Sequence, residues 1–256
     1  MEKVLLSRSG FVAEVALHNP EQYNALSRQV VEDLQAAAGA LAADRDVRAV
    51  IIHGGESKAF CSGADLKERQ GMSEAQVFET VHLLRETVTL YERLPMPVIA
   101  AIHGMAFGGG CELALACDIR LMADDAQIGL TEVSWGIIPG AGGCIRLPQL
   151  VGPAVAKELI FTARRLSAAE AGAMGLANRV LPRQDLLPAA RELAAQIAAQ
   201  GPLAIRAAKR AINGGLASGA GLALEWEAYQ SIIPTQDRLE GLRAFSEKRP
   251  PVYRGE

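Results

Sequence analysis

The stretch VIAAIHGMAFGGGCELALACDIRLMADDAQIGLTEVSWGIIPGAGG, residues 98–143, decides the reading of this chain. Val98 to Ile102 is a short apolar run after Pro95 and Pro97, which predicts a buried strand. Gly104 and the run Gly108-Gly109-Gly110 follow, ahead of CELALACDI, which has helical character. Glycines there let backbone N–H groups approach a ligand with no Cβ in the way. A helix N-terminus adds roughly half a positive charge, which favours an oxyanion. Glu112 falls in the first turn of that helix. Glu132 comes after an expected strand, Ile119 to Met122, and a turn at Asp124-Asp125. Either glutamate alone is explained blandly: Glu112 as a cap on its own helix, Glu132 as the partner of an arginine such as Arg146. Taken together with the glycine cluster, the pair points instead to an oxyanion site flanked by two carboxylates. Two such groups in an apolar setting have their pKa values pushed apart, leaving one acid and one base.

Outward from this stretch, the N-terminal side alternates strands and helices. Val4–Ser7 and Phe11–Leu17 flank Ser9-Gly10 as a hairpin. Ser27 suits the N-cap of a helix running to about Ala43, and Val47–Ile52 reads as a buried strand. Phe60 to Leu66, FCSGADL, is a second small-residue segment that lets backbone come close to something. Ser73 with Gln76 makes a capping box for a helix to about Leu94. On the C-terminal side, Pro153–Thr162 is helical, Ser167 with Glu170 makes a second capping box, and Asn178–Leu181 is a short strand. From Leu186 onward only helices are expected: 187–199, 202–213, 222–233 and 238–248, the last with Asp237 as N-cap. Arg206, Lys209 and Arg210 are expected on a solvated face of the second of these. Leu222, Leu224, Trp226, Tyr229, Ile232 and Ile233 form too large an apolar set to expose, so they pack on the core or on another copy. The division is an α/β core at 1–190 and a helical region at 191–256.

Composition excludes several classes. Among 256 residues half are hydrophobic and 21% charged, and the net charge of −3 offers no electrostatic case for nucleic acid or acidic membrane. Cys61, Cys111, Cys117 and Cys144 form no C-x-x-C pair, and His18, His53, His82 and His103 are scattered, so no metal site is expected. The N-terminal segment is not expected to act as a signal peptide, no apolar run is of bilayer length, and a cytoplasmic protein with reduced thiols is expected. Neither glycine cluster satisfies G-x-G-x-x-G, and phosphate-loop and G-x-S-x-G motifs are missing.

FCSGADL at 60–66, AIHGMAFGGGCELALACDIRL at 101–121 and GLTEVSWGIIPGAGGCIRL at 129–147 closely resemble the enoyl-CoA hydratase/isomerase (crotonase) superfamily. NPEQYNAL at 19–26, AGAMGLANRV at 171–180 and AFSEKR at 244–249 fit it too, so the resemblance spans nearly the whole chain. It implies an α/β fold, a crotonase-like β-β-α spiral core with a C-terminal all-helical trimerisation region, assembled as a homotrimer or homohexamer. It implies an acyl-CoA thioester substrate, coenzyme A being part of the substrate rather than a separate cofactor. By motif position, the oxyanion-hole donors are the backbone N–H groups of Ala64 and Gly109, each such donor being worth about 3 kcal/mol.

Resemblance to hydratases, which carry glutamate at both positions, makes Glu112 the base on the attacking water and Glu132 the acid at Cα. Δ3–Δ2 isomerisation and hydration of branched substrates such as methylglutaconyl-CoA are the enzymatic alternatives; RNA binding, known in one branch, is opposed by the acidic charge. For the substrate and its CoA moiety the resemblance points to Ala25, Leu26, Ser62, Asp65, Leu66, Lys67, Gly108 and Gly140, and to Lys248 reaching a neighbouring subunit's CoA. Gln22 departs from the basic residue common beside the CoA phosphates, and Trp135, Cys144 and Ile145 depart from the commonest residues around the acyl pocket.

Overall fold

A computed structural model describes residues 2–218 and 235–256. The expected hairpin is present: β1 (Val4–Ser9) pairs antiparallel with β2 (Val12–Leu17). β2 then starts a parallel run through β3 (Ala49–His53), β4 (Val98–Ile102), β6 (Ile119–Ala123) and β9 (Arg179–Leu181), giving the sheet order β1-β2-β3-β4-β6-β9. β3 is buried along Ala49–Ile52 and β4 along its whole length, as parallel strands covered on both faces must be.

A second sheet was not foreseen. It consists of β5 (Met105–Phe107), β7 (Gln127–Gly129) and β8 (Leu166–Ser167). Each turn of the chain lays one strand in the large sheet and one in the small sheet, then a helix. β4 and β5 are followed by α4 (Gly109–Ala116), and β6 and β7 by the 3-10 turn Glu132–Trp135 and α5 (Gly143–Val151). The turn after β3 follows the same path, with Cys61 bridged to Ala106 of β5 before α2 (Leu66–Arg69) and α3 (Glu74–Arg93). This is the β-β-α spiral.

Helix boundaries follow local chemistry. Ser27 caps α1 (Arg28–Ala43) by accepting from Val30 N, and both capping boxes are formed, at Ser73 for α3 and at Ser167 for α7 (Ala168–Ala173). α6 (Pro153–Phe161) begins on Pro153, where a missing N–H costs nothing. α8 (Arg183–Ala198) packs on β2, β3, β4 and β6, and the division drawn at residue 190 falls inside it.

Two expectations for the C-terminal helices change. The basic residues of α9 (Pro202–Ser218) are not a uniformly solvated face. Lys209 Nζ lies 2.7 Å from an Asp118 carboxylate oxygen and donates to Met96 O, and Arg206 donates to the carbonyls of Arg45 and Val47. They pin the helix to the core. Asp237 is not an N-cap but lies in the first turn of α10 (Gln236–Glu247), where it accepts from Arg254 N and Gly255 N and ties down the tail. The expected helix at 222–233, with its six apolar residues, lies outside the described residues. Among the described residues, no helix is long and apolar enough to cross a membrane.

Candidate active site

α4 places the first site residues. Its C-terminal carbonyls are capped by the buried Arg120, which donates to Cys117 O at 2.7 Å, while its N-terminus opens at Gly108. The preceding strand is anchored on both sides: Cys61 N donates to Met105 O, Phe107 N to Cys61 O, and Gly108 N to Gly129 O. The FCSGADL segment is held from its other edge by Leu26 N donating to Gly63 O at 2.8 Å. These ladders bring two distant backbone segments side by side. A side chain on Gly109 would start 3.8 Å from Ala64 N, and one on Gly63 would start 3.5 Å from Gly109 N. Neither the Ala64 N–H nor the Gly109 N–H has an acceptor among the described residues. Two free donors, one of them at the start of α4, thus lie side by side, an arrangement able to hold an oxyanion.

Both glutamates face this place and both are buried, Glu112 at 2% and Glu132 at 9% exposure. Their surroundings differ. Glu112 Oε1 accepts from Ala141 N at 2.7 Å and from Gly143 N at 2.9 Å, the second being the first residue of α5. Burial raises its pKa, and these two N–H groups, followed by the charges of Arg146 and Arg69, oppose the rise. Glu132 begins the 3-10 turn after β7, with Oε2 buried and without a partner. Burial first, and the Glu112 charge second, push its pKa up to about 7. The two carboxyls are therefore unlike: Glu112 meets two donors at the N-terminus of α5, while Glu132, with an unpartnered oxygen, holds its proton up to about pH 7. Gly108 sits at φ +51, a backbone conformation that favours glycine, with the Glu132 carboxyl packed against it.

The bland alternatives for the glutamates are thereby corrected. Glu112 caps another helix rather than its own, and Arg146 pairs with Glu92 at 2.8 Å, not with Glu132. A cleft of about 790 Å³ is lined by Met72, Val77, Phe78, Val81 and Gly140, with Arg85 among its polar residues. Gly140 therefore borders a largely apolar cleft, while Trp135 and Ile145 are exposed.

Other residues named from the sequence spread outward. Ala25 and Leu26 are buried beside the oxyanion segment, and Ser62 Oγ donates to Gln22 O. Asp65 caps α2, accepting from Lys67 N and Glu68 N, and leaves Leu66 and Lys67 exposed on the same turn. Gln22 accepts from Asn19 Nδ2 at 2.8 Å, so no cation stands there. Lys248 follows α10 at φ +53, exposed, and no contact among the described residues joins it to this site. Sequence reasoning missed Arg69, whose charge reaches both glutamates, and the Ala141 and Gly143 donors. The signal for the donors was the GAGG run itself. Among the described residues no cluster of His, Cys, Asp or Glu could hold a metal ion.

A spiral α/β fold with two free backbone donors facing two buried carboxyls defines a protein of the crotonase class. A family model described as enoyl-CoA hydratase/isomerase matches residues 7–256. Human mitochondrial methylglutaconyl-CoA hydratase is 49% identical over 239 residues, covering 91% of this chain and 70% of that protein. The Bos taurus mitochondrial enoyl-CoA hydratase domain-containing protein 2 is 47% identical over 251 residues, covering 96% and 85%. The crystal structure of an enoyl-CoA hydratase from Bacillus anthracis superposes with a TM-score of 0.97 at 48% identity, covering 99% of this chain and all of that one. The chain belongs to the enoyl-CoA hydratase/isomerase family.

Proposed function

We propose that this chain is an enoyl-CoA hydratase, adding water reversibly across the double bond of a trans-2-enoyl-CoA to give the 3-hydroxyacyl-CoA. The observation that carries the reading is the unequal pair: Glu112 Oε1 accepting from Ala141 N and Gly143 N, Glu132 left with an unpartnered oxygen. Glu112 removes a proton from water as its oxygen bonds Cβ. The double-bond electrons move to the thioester oxygen, where the Ala64 and Gly109 N–H groups stabilise the enolate. Glu132 then delivers its proton to Cα, and proton exchange resets both carboxyls. An isomerase needs only one shuttling carboxylate. A buried second one held by two donors favours hydration over that alternative. The proposal includes CoA contacts from Ala25, Leu26, Ser62, Asp65, Leu66 and Lys67, with Lys248 serving a neighbouring subunit of a trimer or hexamer in the cytoplasm.

The test is the loss of conjugated-thioester absorbance when the protein meets enoyl-CoAs from four to sixteen carbons, with branched examples. Turnover with product confirmed as the 3-hydroxyacyl thioester is expected. No turnover with any of them would sink the proposal.

A second reading concerns the acyl group, and Arg69 favours it. This half-buried guanidinium ends α2, five residues after Ala64, and has no ion pair or side-chain hydrogen bond among the described residues. Its charge acts on both glutamates, which puts a cation on the same side of the molecule as the two carboxyls. A substrate with a carboxylate on its acyl end, as the name of the human relative describes, would supply the missing anion. Arg69→Gln should then cut kcat/KM for methylglutaconyl-CoA by about 10- to 100-fold relative to crotonyl-CoA, the worth of one charged hydrogen bond. Equal losses on both substrates would refute this reading and leave hydration itself standing.

A further inference from the structure

We infer that Arg146, clamped by Glu92, is a positioning residue for Glu112: it fixes the loop whose two backbone donors hold the base. The inference rests on the hydratase reading for the role of Glu112, but its geometry is independent of substrate.

Arg146 lies in α5 and is buried. Its Nε and one terminal nitrogen donate to the two carboxylate oxygens of Glu92, at 2.9 and 2.8 Å, a fork-to-carboxylate pairing. The other terminal nitrogen donates to Ala141 O at 2.7 Å. The same Ala141, through its N–H, and Gly143 hold Glu112 Oε1. One short loop therefore gives its carbonyl to the guanidinium on one side and its amides to the catalytic carboxylate on the other.

Gly142, at φ +106, lies between the two amides, and a side chain there would run into the Arg146 guanidinium. The loop is folded around the cation with no room to shift. Glu92 belongs to α3, Glu112 to α4 and Arg146 to α5, so the bonds close a ring across three helices, and α4 packs on both of the others. Lysine could keep the charge but not the two-sided fork.

The charge has its own consequence. Arg146 lowers the pKa of Glu112 and holds the Glu92 carboxyl below the usual range. The other groups acting on or facing Glu112 are Glu132, Arg69 and the thiols of Cys111 and Cys144. Arg93 and Lys209 act on Glu92 from outside the ring. Breaking the ring should therefore loosen the donors and raise the pKa of the base together.

Three variants test this: Glu92→Gln, Arg146→Met and Arg146→Lys. Glu92 is only half-buried, so its variant is the safest for folding. In Glu92→Gln and Arg146→Met, kcat should fall about 10- to 100-fold, as a small misplacement of a catalytic group can cost. KM should stay within about twofold, since the assigned CoA contacts lie elsewhere. In Arg146→Met, which removes the cation acting on Glu112, the acidic limb of the kcat profile should move to higher pH, because Glu112 must be ionised to act. Amide hydrogen exchange at Ala141 and Gly143 should quicken by about tenfold or more. Arg146→Lys, keeping charge without the fork, should fall between these and the unchanged protein. Wild-type exchange rates in Glu92→Gln would overturn the inference, as would an unmoved acidic limb in Arg146→Met or a loss confined to KM. If the unchanged protein hydrates nothing, the hydratase reading falls. The exchange rates then still decide the role of Arg146.

Discussion

Glu112→Gln should lower kcat for hydration of a short 2-enoyl-CoA by about 10³-fold or more, at the upper part of the range for a general base. KM should change little. The replacement keeps the volume and keeps an oxygen that can accept from Ala141 N and Gly143 N, at 2.7 and 2.9 Å in the unchanged protein. What it removes is the charge, and with it the ability to take a proton from water. The oxyanion hole is untouched, because Ala64 and Gly109 contribute backbone only. Steady-state kinetics with crotonyl-CoA read the loss, and exchange of the substrate α-proton with deuterium reads what remains of acid–base chemistry at Cα. Wild-type kcat in this variant would show that water is activated by another group and would take the hydratase reading down. A fall only in KM would place Glu112 among binding residues. The expected outcome, kcat lost and KM kept, belongs to an interaction made in the transition state.

Legibility of this site in the sequence depended on how local each feature was. The capping boxes at Ser73 and Ser167 are fixed by residues three apart, and both form as expected. The buried strand β4 was visible as an unbroken apolar run. The small sheet was not, because β5 and β7 are three residues each and carry no period to detect. α5 was hidden by Gly142 and Gly143 at its start and Pro148 inside it, all of which imitate a loop. The two glutamates could be picked out, and so could the oxyanion donors once the motifs were recognised. The resemblance suggested their division of labour, but the physical difference behind it could not be read, since it depends on which carboxyl meets the N-terminus of α5. Arg146 shows the same limit: as a charge near Glu132 in sequence it suggested that partner, and packing of α3 gave it Glu92 instead.

Glu132→Gln should cost about 10²- to 10³-fold in kcat and should also make the protein more stable at alkaline pH. The two effects share one cause. In the folded protein this carboxyl is buried with one oxygen unpartnered and has its pKa near 7, against an ordinary value of 4.5. A carboxyl with its folded pKa above its unfolded pKa binds more protons folded than unfolded in the interval between them. Its contribution is therefore most favourable below about pH 4.5 and is lost as pH rises through about 7. Above that, the protein carries the cost of a buried anion, about 3 kcal/mol for a gap of this size. Glutamine is neutral at every pH. Denaturant midpoints should thus favour the variant at pH 8 by about that amount, with the advantage gone near pH 4. In kinetics, the unchanged protein should lose kcat/KM above about pH 7 as Glu132 gives up the proton destined for Cα. The variant should lose that alkaline limb along with most of its rate. A variant that is less stable at pH 8 would mean that Glu132 is ionised and well solvated in the fold, and the assignment of the acid would have to move. If stability rises while the alkaline limb persists, the proton at Cα comes from elsewhere. Only the two results together, a stabilised protein and a missing limb, tie the unfavourable burial of Glu132 to the proton it delivers.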